Sequence, residues 1–279
     1  MRYTRIADEK QLIEGLAEPG ARILCGGTDL LVRMRSGLET PQHLLDISDL
    51  ETLKGVRKSD GAILIGAATP ETDLLSSPLI RERLPLLATA LAVLGSLQIR
   101  NRGTLGGNIA NASPAADSAI PLLAYDAKLL LVGSDGERTQ ALGDFFLGPG
   151  KTTLDHGEYI REIRVPLPDP EYRTFYHKIG KRRALTIAIA SVGIVASIDN
   201  GRLSDIRIAA GSVAPTPLRL RSVEQALVER ILNEKTIEEA GQLATSAVSP
   251  IDDIRATADY RRGAVGDLVM RGLRQFVAG

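Results

Sequence analysis

The spacing of apolar positions near the N-terminus predicts a small β-α-β unit. Asp8 and Gln11 form a capping-box pattern ahead of a helical spacing of leucines. Apolar strands are then predicted over 21–25 and 43–47. Between them lie a glycine turn and a second helix that Thr28-Asp29 can cap.

From residue 55 onward, the pattern mixes strand alternation with helical spacing, and turn residues separate the segments. The predicted elements are a hairpin over 55–58 and 62–67, helices over 71–75 and 80–94 with a break near Pro85, a long loop from Gly103 to Ala115, a helix capped by Asp117-Ser118, a hairpin over 127–132 and 138–142, and a strand over 158–165. Residues 166–170 hold three prolines and are the best linker candidate.

The apolar pattern of the C-terminal part of the chain predicts a small antiparallel sheet followed by helices. Strands are expected over 172–178, 186–198 and 202–210, and helices over 218–230, 236–247 and 259–276. The fold class is therefore α+β. We expect two domains, 1–170 (with subdomains of about 1–54 and 55–170) and 171–279.

Composition and charge narrow the range of partners and cofactors. Lys+Arg and Asp+Glu are 34 each, so a zero net charge gives no reason to expect nucleic acid or an anionic membrane as a partner. A single cysteine, Cys25, excludes a zinc or iron–sulfur cluster held by cysteines of this chain. The longest apolar run, 186–198, is too short to span a bilayer. The polar N-terminus predicts no secretory signal, and the unpaired thiol suggests a reducing compartment.

Two glycine-rich stretches are the candidates for chemistry. The first runs over 24–30, and the second runs over 99–117 with three glycines in the five residues from Gly103. Glycine allows a backbone to approach a ligand closely, and successive N–H groups can hold a diphosphate. Neither stretch matches a Rossmann or P-loop motif. The residues alone thus predict two domains, one of which binds a phosphate-bearing cofactor.

Several polar residues have both a structural and a functional interpretation at this point. Asp117 can be a helix cap or accept hydrogen bonds from a sugar. Arg100 and Arg102 are expected to be solvated loop charges. The basic residues Lys178, Lys181, Arg182 and Arg183 can form a solvated turn or a positive field near an anionic cofactor or a partner. Cys25 can be a small buried residue or a cofactor contact, and the three histidines have no metal-ligand spacing.

Both stretches together resemble a known family. Residues 24–30 resemble the first FAD-binding motif of the flavoprotein (medium) subunit of molybdenum hydroxylases, such as xanthine dehydrogenase and carbon monoxide dehydrogenase. Residues 99–108, followed by Ser113-Pro114 and Asp117, resemble the second motif. The resemblance also covers 158–166 and 176–183. It implies a two-part FAD-binding domain of the vanillyl-alcohol-oxidase-like type, and a C-terminal domain with a small antiparallel sheet and a helical bundle.

The resemblance also implies site residues. The FAD diphosphate would lie between the two motifs, Asp117 would bind near the sugar, and Lys178 near the flavin would favour its reduced, anionic form. Cys25 stands where alanine is common in the family. The implied cofactor-binding residues are Leu24, Cys25, Gly26, Gly27, Thr28, Asp29, Leu94, Thr104, Leu105, Gly106, Gly107, Asn108, Asp117, Ile160 and Lys178.

The function implied by the resemblance is electron transfer within a cytoplasmic complex. Substrate would be oxidised at molybdopterin in a large partner, and electrons would pass through two [2Fe-2S] clusters of a small partner to FAD here. The external acceptor would be NAD, a quinone or oxygen, and the complex can be a dimer of heterotrimers. No catalytic residue and no metal are expected in this chain. One alternative is a self-contained FAD-dependent oxidoreductase of the same cofactor-binding superfamily, and another is a binding module that has lost flavin.

Overall fold

The structure is a computed structural model that describes residues 1–182 and 186–278. Its first unit is a three-stranded parallel sheet of order β1-β3-β2 with two helices. The elements are β1 (Arg2–Arg5), α1 (Glu9–Leu16), β2 (Ala21–Leu24), α2 (Leu30–Arg35) and β3 (His43–Asp46). The predicted β-α-β unit is confirmed, and β1 was missed because this edge strand is mostly exposed and lacks an apolar pattern.

The predicted Asp8 cap of α1 is confirmed, although the return bond of Gln11 goes to the residue before the N-cap. The backbone N–H of Gln11 donates to the Asp8 carboxylate over 2.8 Å, and the Gln11 side chain accepts from the N–H of Ala7 over 2.7 Å. The cap predicted for α2 is not formed. Asp29 holds the N-cap position but its side chain makes no capping hydrogen bond.

The second unit is a five-stranded antiparallel sheet of order β4-β5-β10-β6-β7 with short helices on one face. Both predicted hairpins and the break at Pro85 are confirmed, the latter because α4 ends and α5 begins there. The elements are β4 (Val56–Ser59), β5 (Ala62–Gly66), α3 (Glu71–Ser76), α4 (Pro78–Arg83), α5 (Pro85–Ala92), α6 (Leu97–Arg100), α7 (Leu105–Ala110), α8 (Ala119–Ala124), β6 (Lys128–Gly133), β7 (Gly136–Ala141), β8 (Phe146–Gly148), β9 (Lys151–Thr152) and β10 (Tyr159–Pro166).

Two sequence predictions in this unit are wrong. The long loop over 103–115 contains the helix α7, which buries Leu105 and Ile109 in the core. Asp117 does not cap α8, because Ser118 is the N-cap and no side chain bonds there.

The third unit is a four-stranded antiparallel sheet of order β11-β12-β13-β14 followed by helices. The three predicted long strands are present, although the second begins later than expected. In the segment 218–230, predicted as one helix, a short strand precedes a shorter helix. The elements are β11 (Arg173–Ile179), β12 (Ala190–Asp199), β13 (Arg202–Gly211), β14 (Leu218–Arg219), α9 (Arg221–Leu227), α10 (Glu234–Ser246) and α11 (Ala258–Ala278).

This third sheet is buried on both faces. Along β12, Val192 and Ile194 belong to the cluster formed with the C-terminal helices, whereas Val195 belongs to the cluster of the second unit. Successive strand residues point to opposite faces, which explains the division. Gly193, on the face shared with the second unit, allows Ile120 of α8 to approach closely.

No helix within 1–182 or 186–278 is long and apolar enough to cross a membrane.

Candidate cofactor site

A cavity of about 360 Å³ opens where the first two units meet. Its size is in the range of small-molecule sites, roughly 300–1,000 Å³. The loop after β2 forms one side, the start of α7 forms another, and β10 closes the floor. Of the residues implied by the family resemblance, those that line it are Cys25, Gly26, Gly27, Thr28, Asp29, Leu94, Thr104, Gly106, Gly107, Asn108 and Ile160.

The two glycine-rich stretches touch at Gly26. A Cβ atom at this position would lie 1.9 Å from the carbonyl oxygen of Arg102 and 2.6 Å from its carbonyl carbon. Only glycine permits this approach of one backbone to the other. The two stretches therefore form one site.

The first stretch presents free backbone donors. Within the described part of the chain, the N–H groups of Gly27, Thr28, Asp29 and Leu30 have no hydrogen-bond acceptor. Gly27 adopts a φ of +69°, a left-handed conformation that turns the chain sharply at this point. Unpaired N–H groups on a tight turn suit an anionic oxygen.

The second stretch differs from the expectation of a similar row of donors. The N–H of Leu105 donates to Thr69 O over 3.2 Å, that of Gly106 to Ala67 O over 2.8 Å, and that of Asn108 to Thr104 O over 2.9 Å. These bonds begin α7 and attach it to the end of β5. Because the donors are used in folding, this stretch offers the cavity mainly the bare Cα of Gly107 and the Asn108 side chain.

The Asn108 side chain is oriented by a hydrogen bond. The Ser118 hydroxyl donates to its Oδ1 over 2.7 Å, which leaves the amide NH₂ as a donor beside the cavity. Gly106 serves packing, because a Cβ atom there would lie 2.5 Å from the Cβ of Ala67.

Cys25 joins the two stretches through Thr104. The Thr104 hydroxyl bonds to the Cys25 side chain and also accepts from the N–H of Gly107 over 3.2 Å. Burial raises the pKa of the Cys25 thiol. Cys25 is thus a neutral, half-buried group in the cavity wall, which combines the two interpretations given to it from the sequence.

Asp117 and Lys178 lie outside the cavity lining and form an ion pair with each other. Lys178 Nζ donates to Asp117 Oδ2 over 2.6 Å and to Val93 O over 2.7 Å. Tyr176 donates to Asp117 Oδ1 over 3.1 Å. The two charged side chains are only 5% and 8% exposed. Burial raises the pKa of Asp117, and the Lys178 ammonium opposes that shift.

The other two implied residues are also outside the lining. Leu105 is fully buried among the helices of the second unit, and Leu24 ends β2. In the basic run, Lys181 donates to the carbonyl of Ile254 over 2.6 Å, and Arg183 lies outside the described residues.

Sequence reasoning missed several lining residues. Arg22, Arg33 and Glu39 lie beside the first loop, where Arg33 pairs with Glu39 over 3.1 Å. Glu71 lines the cavity with a carboxyl group that is almost fully buried. In the sequence Glu71 looks like an ordinary first-turn acid of a helix, and only its burial marks it. Within the described residues, no group of three or more His, Cys, Asp or Glu side chains could hold a metal ion.

Comparisons with known proteins agree with this architecture. Residues 1–168 match the family described as the FAD binding domain in molybdopterin dehydrogenase, and residues 175–276 match the CO dehydrogenase flavoprotein C-terminal domain. The carbon monoxide dehydrogenase medium chain of Hydrogenophaga pseudoflava is 37% identical over 91% of this chain and 88% of that protein. The putative xanthine dehydrogenase FAD-binding subunit of Escherichia coli (strain K12) is 34% identical over 99% and 96% of the two chains.

Solved structures show the same fold. A structure of carbon monoxide dehydrogenase from Hydrogenophaga pseudoflava, which lacks the Mo-pyranopterin moiety of the molybdenum cofactor, matches with a TM-score of 0.96 and 35% identity, covering 99% of this chain and 97% of that chain. Quinoline 2-oxidoreductase from Pseudomonas putida 86 matches with a TM-score of 0.93 and 27% identity, covering 98% and 95% of the two chains.

The fold and the matches define an oxidoreductase flavoprotein that contains an FAD-binding domain. The chain belongs to the family of FAD-binding medium subunits of molybdenum hydroxylases, together with those of xanthine dehydrogenase and carbon monoxide dehydrogenase. Its relatives are subunits of multi-subunit dehydrogenases. The resemblance stated from the sequence is confirmed.

Proposed function

We propose that the chain binds FAD in this cavity and is the electron-transfer subunit of a cytoplasmic molybdenum hydroxylase complex. The observation that carries the proposal is the junction of the two glycine-rich stretches, with four unpaired N–H groups on one of them. The residues fit the cofactor, because those donors suit a diphosphate and Leu94 and Ile160 offer apolar surface for a flavin ring. When bound, FAD supplies redox chemistry that no amino-acid side chain here provides.

We propose a role for each residue on the basis of its surroundings. Residues 25–29 would hold the diphosphate from one side, and Gly107 with the Asn108 amide would approach it from the other. Leu24 and Leu105 would contribute indirectly, by holding the backbone of the two glycine-rich stretches in position. Asp117 and Lys178, as a neutral pair behind Val93, would support the flavin end without adding a net charge. We also propose the domain division at residues 170 and 171, which the two matched segments support.

The partners are proposed from the family. A small subunit would carry two [2Fe-2S] clusters, and a large subunit would carry molybdopterin and select the substrate. Electrons would enter from the clusters and leave through FAD to NAD, a quinone or oxygen. The assembly can be a dimer of heterotrimers. This chain would then need no general acid or base of its own.

A variant at Gly107 tests the cofactor assignment. We expect Gly107→Asp to weaken FAD binding at least about tenfold, because a carboxylate would project toward the diphosphate from an exposed position beside the cavity. Gly107→Ala is the matched control for added volume, since its Cβ would meet only the Thr104 hydroxyl, at 2.9 Å. Both are measured by quenching of flavin fluorescence. Equal affinity in the two variants would contradict the diphosphate assignment.

Co-expression with adjacent reading frames tests the complex. We expect this chain to co-purify with a small cysteine-rich subunit and a large subunit, and the flavin absorbance to bleach only when substrate is added to the assembled complex. The chain alone, given the same substrate, is the control. Bleaching by the chain alone would favour a self-contained flavoenzyme and would contradict the electron-transfer role.

A further inference from the structure

Glu71 is a buried acid that the proposed function leaves unused. It is the first residue of α3, its side chain lines the cavity, and the residue is only 1% exposed. Its Oε2 atom is buried and has no hydrogen-bond partner among the described residues. A buried polar group without a hydrogen-bond partner has lost its hydration with nothing to compensate for it. The described part of the folded chain therefore leaves this oxygen atom without a partner.

The backbone around Glu71 fixes the position of its carboxyl group. The Glu71 N–H donates to Gly103 O over 2.9 Å, which attaches the start of α3 to the second glycine-rich stretch. A Cβ atom on Gly103 would lie 3.2 Å from Glu71 Oε2. The lack of a side chain at residue 103 therefore leaves room for the carboxyl group. The terminal torsion of glutamate is broad, so either oxygen can turn toward the cavity.

The charged groups that face Glu71 do not neutralise it with an ion pair. Arg100 of α6 is near enough to act on it electrostatically, yet the two side chains form no salt bridge within 4.0 Å. Arg100 instead donates to Leu94 O over 2.8 Å, and its buried Nε also has no partner among the described residues. Asp117 is the other charged group that acts on Glu71, and it is itself paired with Lys178.

Burial decides the protonation state of Glu71. Desolvation of the carboxylate raises the pKa of Glu71 to about 8, and the charge of Asp117 adds to this effect while that of Arg100 opposes it. The carboxyl group is therefore mostly neutral at pH 7, and a neutral carboxyl has an O–H to donate. Leu94, whose carbonyl accepts the hydrogen bond from Arg100, also lines the cavity.

We propose that Glu71 is a hydrogen-bond donor of the cofactor site, and that its carboxyl O–H donates to an acceptor atom at the flavin end of bound FAD. The inference rests on the proposed function. Oxidised flavin offers carbonyl oxygens and unprotonated ring nitrogens as acceptors. A carboxylate at the same place would repel these atoms, so binding of FAD favours the protonated form.

The consequence is a proton linkage in FAD binding. Because the bound state holds the Glu71 proton more tightly than the free state, FAD affinity falls as the pH rises through the pKa of the free chain. One linked proton gives a rise in Kd of up to about tenfold per pH unit above that value. Ionisation of the Cys25 thiol, whose pKa is raised by burial, would act only at higher pH.

The test is an FAD titration of the full chain, freed of flavin, across about pH 6.5 to 9.5. We expect the wild-type Kd to be flat at acidic pH and to rise above about pH 8. Glu71→Gln keeps an N–H donor but does not ionise, so its Kd should stay tight and flat throughout. Glu71→Leu removes the donor and should weaken binding about tenfold at neutral pH.

Glu224→Gln is the matched control, since Glu224 is a buried glutamate paired with Arg219 in the third unit and does not line the cavity. It should retain the wild-type pH profile, and circular dichroism should show all variants folded. A wild-type slope in Glu71→Gln, or a flat wild-type profile, would overturn the role of Glu71. A wild-type chain that binds no FAD at any pH would instead overturn the proposed function.

Discussion

Gly26→Ala should abolish FAD binding and lower the free energy of unfolding by about 3 kcal/mol, toward the upper end of the usual cost of overpacking. The added methyl group would lie 1.9 Å from the carbonyl oxygen of Arg102, and both contacting atoms within 3 Å of it belong to the backbone. No side chain can rotate away to make room. The two glycine-rich stretches must therefore separate, and the cavity between them loses its shape.

Urea unfolding and the flavin absorbance of the purified variant measure the two effects of Gly26→Ala. Gly263→Ala is the control, because Gly263 is exposed in the second turn of α11 and a methyl group there meets nothing within 4 Å. That change should stabilise the chain by about 0.5–1 kcal/mol through helix propensity. A Gly26→Ala chain with full flavin content and unchanged unfolding would show that the contact with Arg102 is dispensable.

Lys178→Met should lower the free energy of unfolding by about 3–5 kcal/mol, because it leaves Asp117 as an unpaired buried charge. The double variant Asp117→Asn with Lys178→Met should lose less than the single variant, since it removes both charges. With the cation gone, burial holds the pKa of Asp117 above its unfolded value. The protonated acid then stabilises the folded state, so the deficit should shrink as the pH falls and grow as it rises.

Equilibrium urea unfolding at several pH values measures this deficit. The matched control is Glu234→Gln, which breaks an ion pair with Arg274 whose side chains are 58% and 50% exposed. Exposed pairs contribute little to stability, so this change should cost far less than Lys178→Met. Equal losses in the two variants would contradict the assignment of Asp117 and Lys178 as a desolvated pair.

Local signals in the sequence predicted those elements that depend on neighbouring residues. Each of these signals depends only on residues a few positions away in the chain. They are the Asp8 cap, the helix break at Pro85 and the hairpin turns at Asp60-Gly61 and Asp135-Gly136. They were predicted correctly for that reason. The family resemblance added what local signals lack, namely the cofactor and the union of two distant stretches in one site.

The failures share a long-range cause. The helix α7 looked like a loop because Gly106 and Gly107 weaken helix propensity, yet Gly106 is the residue that lets α7 pack against Ala67. Local pattern predicts Asp117-Ser118 as a helix cap, whereas Asp117 pairs with Lys178, which lies 61 positions further along the chain. Glu71 has no sequence signature at all, since its importance lies in burial and in a missing partner. Packing between distant segments decides each of these cases.

The sheet of the third unit is buried on both faces, and this limits the exchange of N-terminal and C-terminal segments between members of the family. Val195 and Ala209 share an apolar cluster with Ile120 of α8, so the two matched family segments have one continuous interior. A C-terminal half taken from a relative would place side chains of different size and shape at that contact. It would also bring its own residue at the position of Lys178. Recombination at the proline-rich linker would succeed only when the contacting residues of the second unit and of the third sheet come from the same parent. This requirement favours inheritance of the two halves as a single unit.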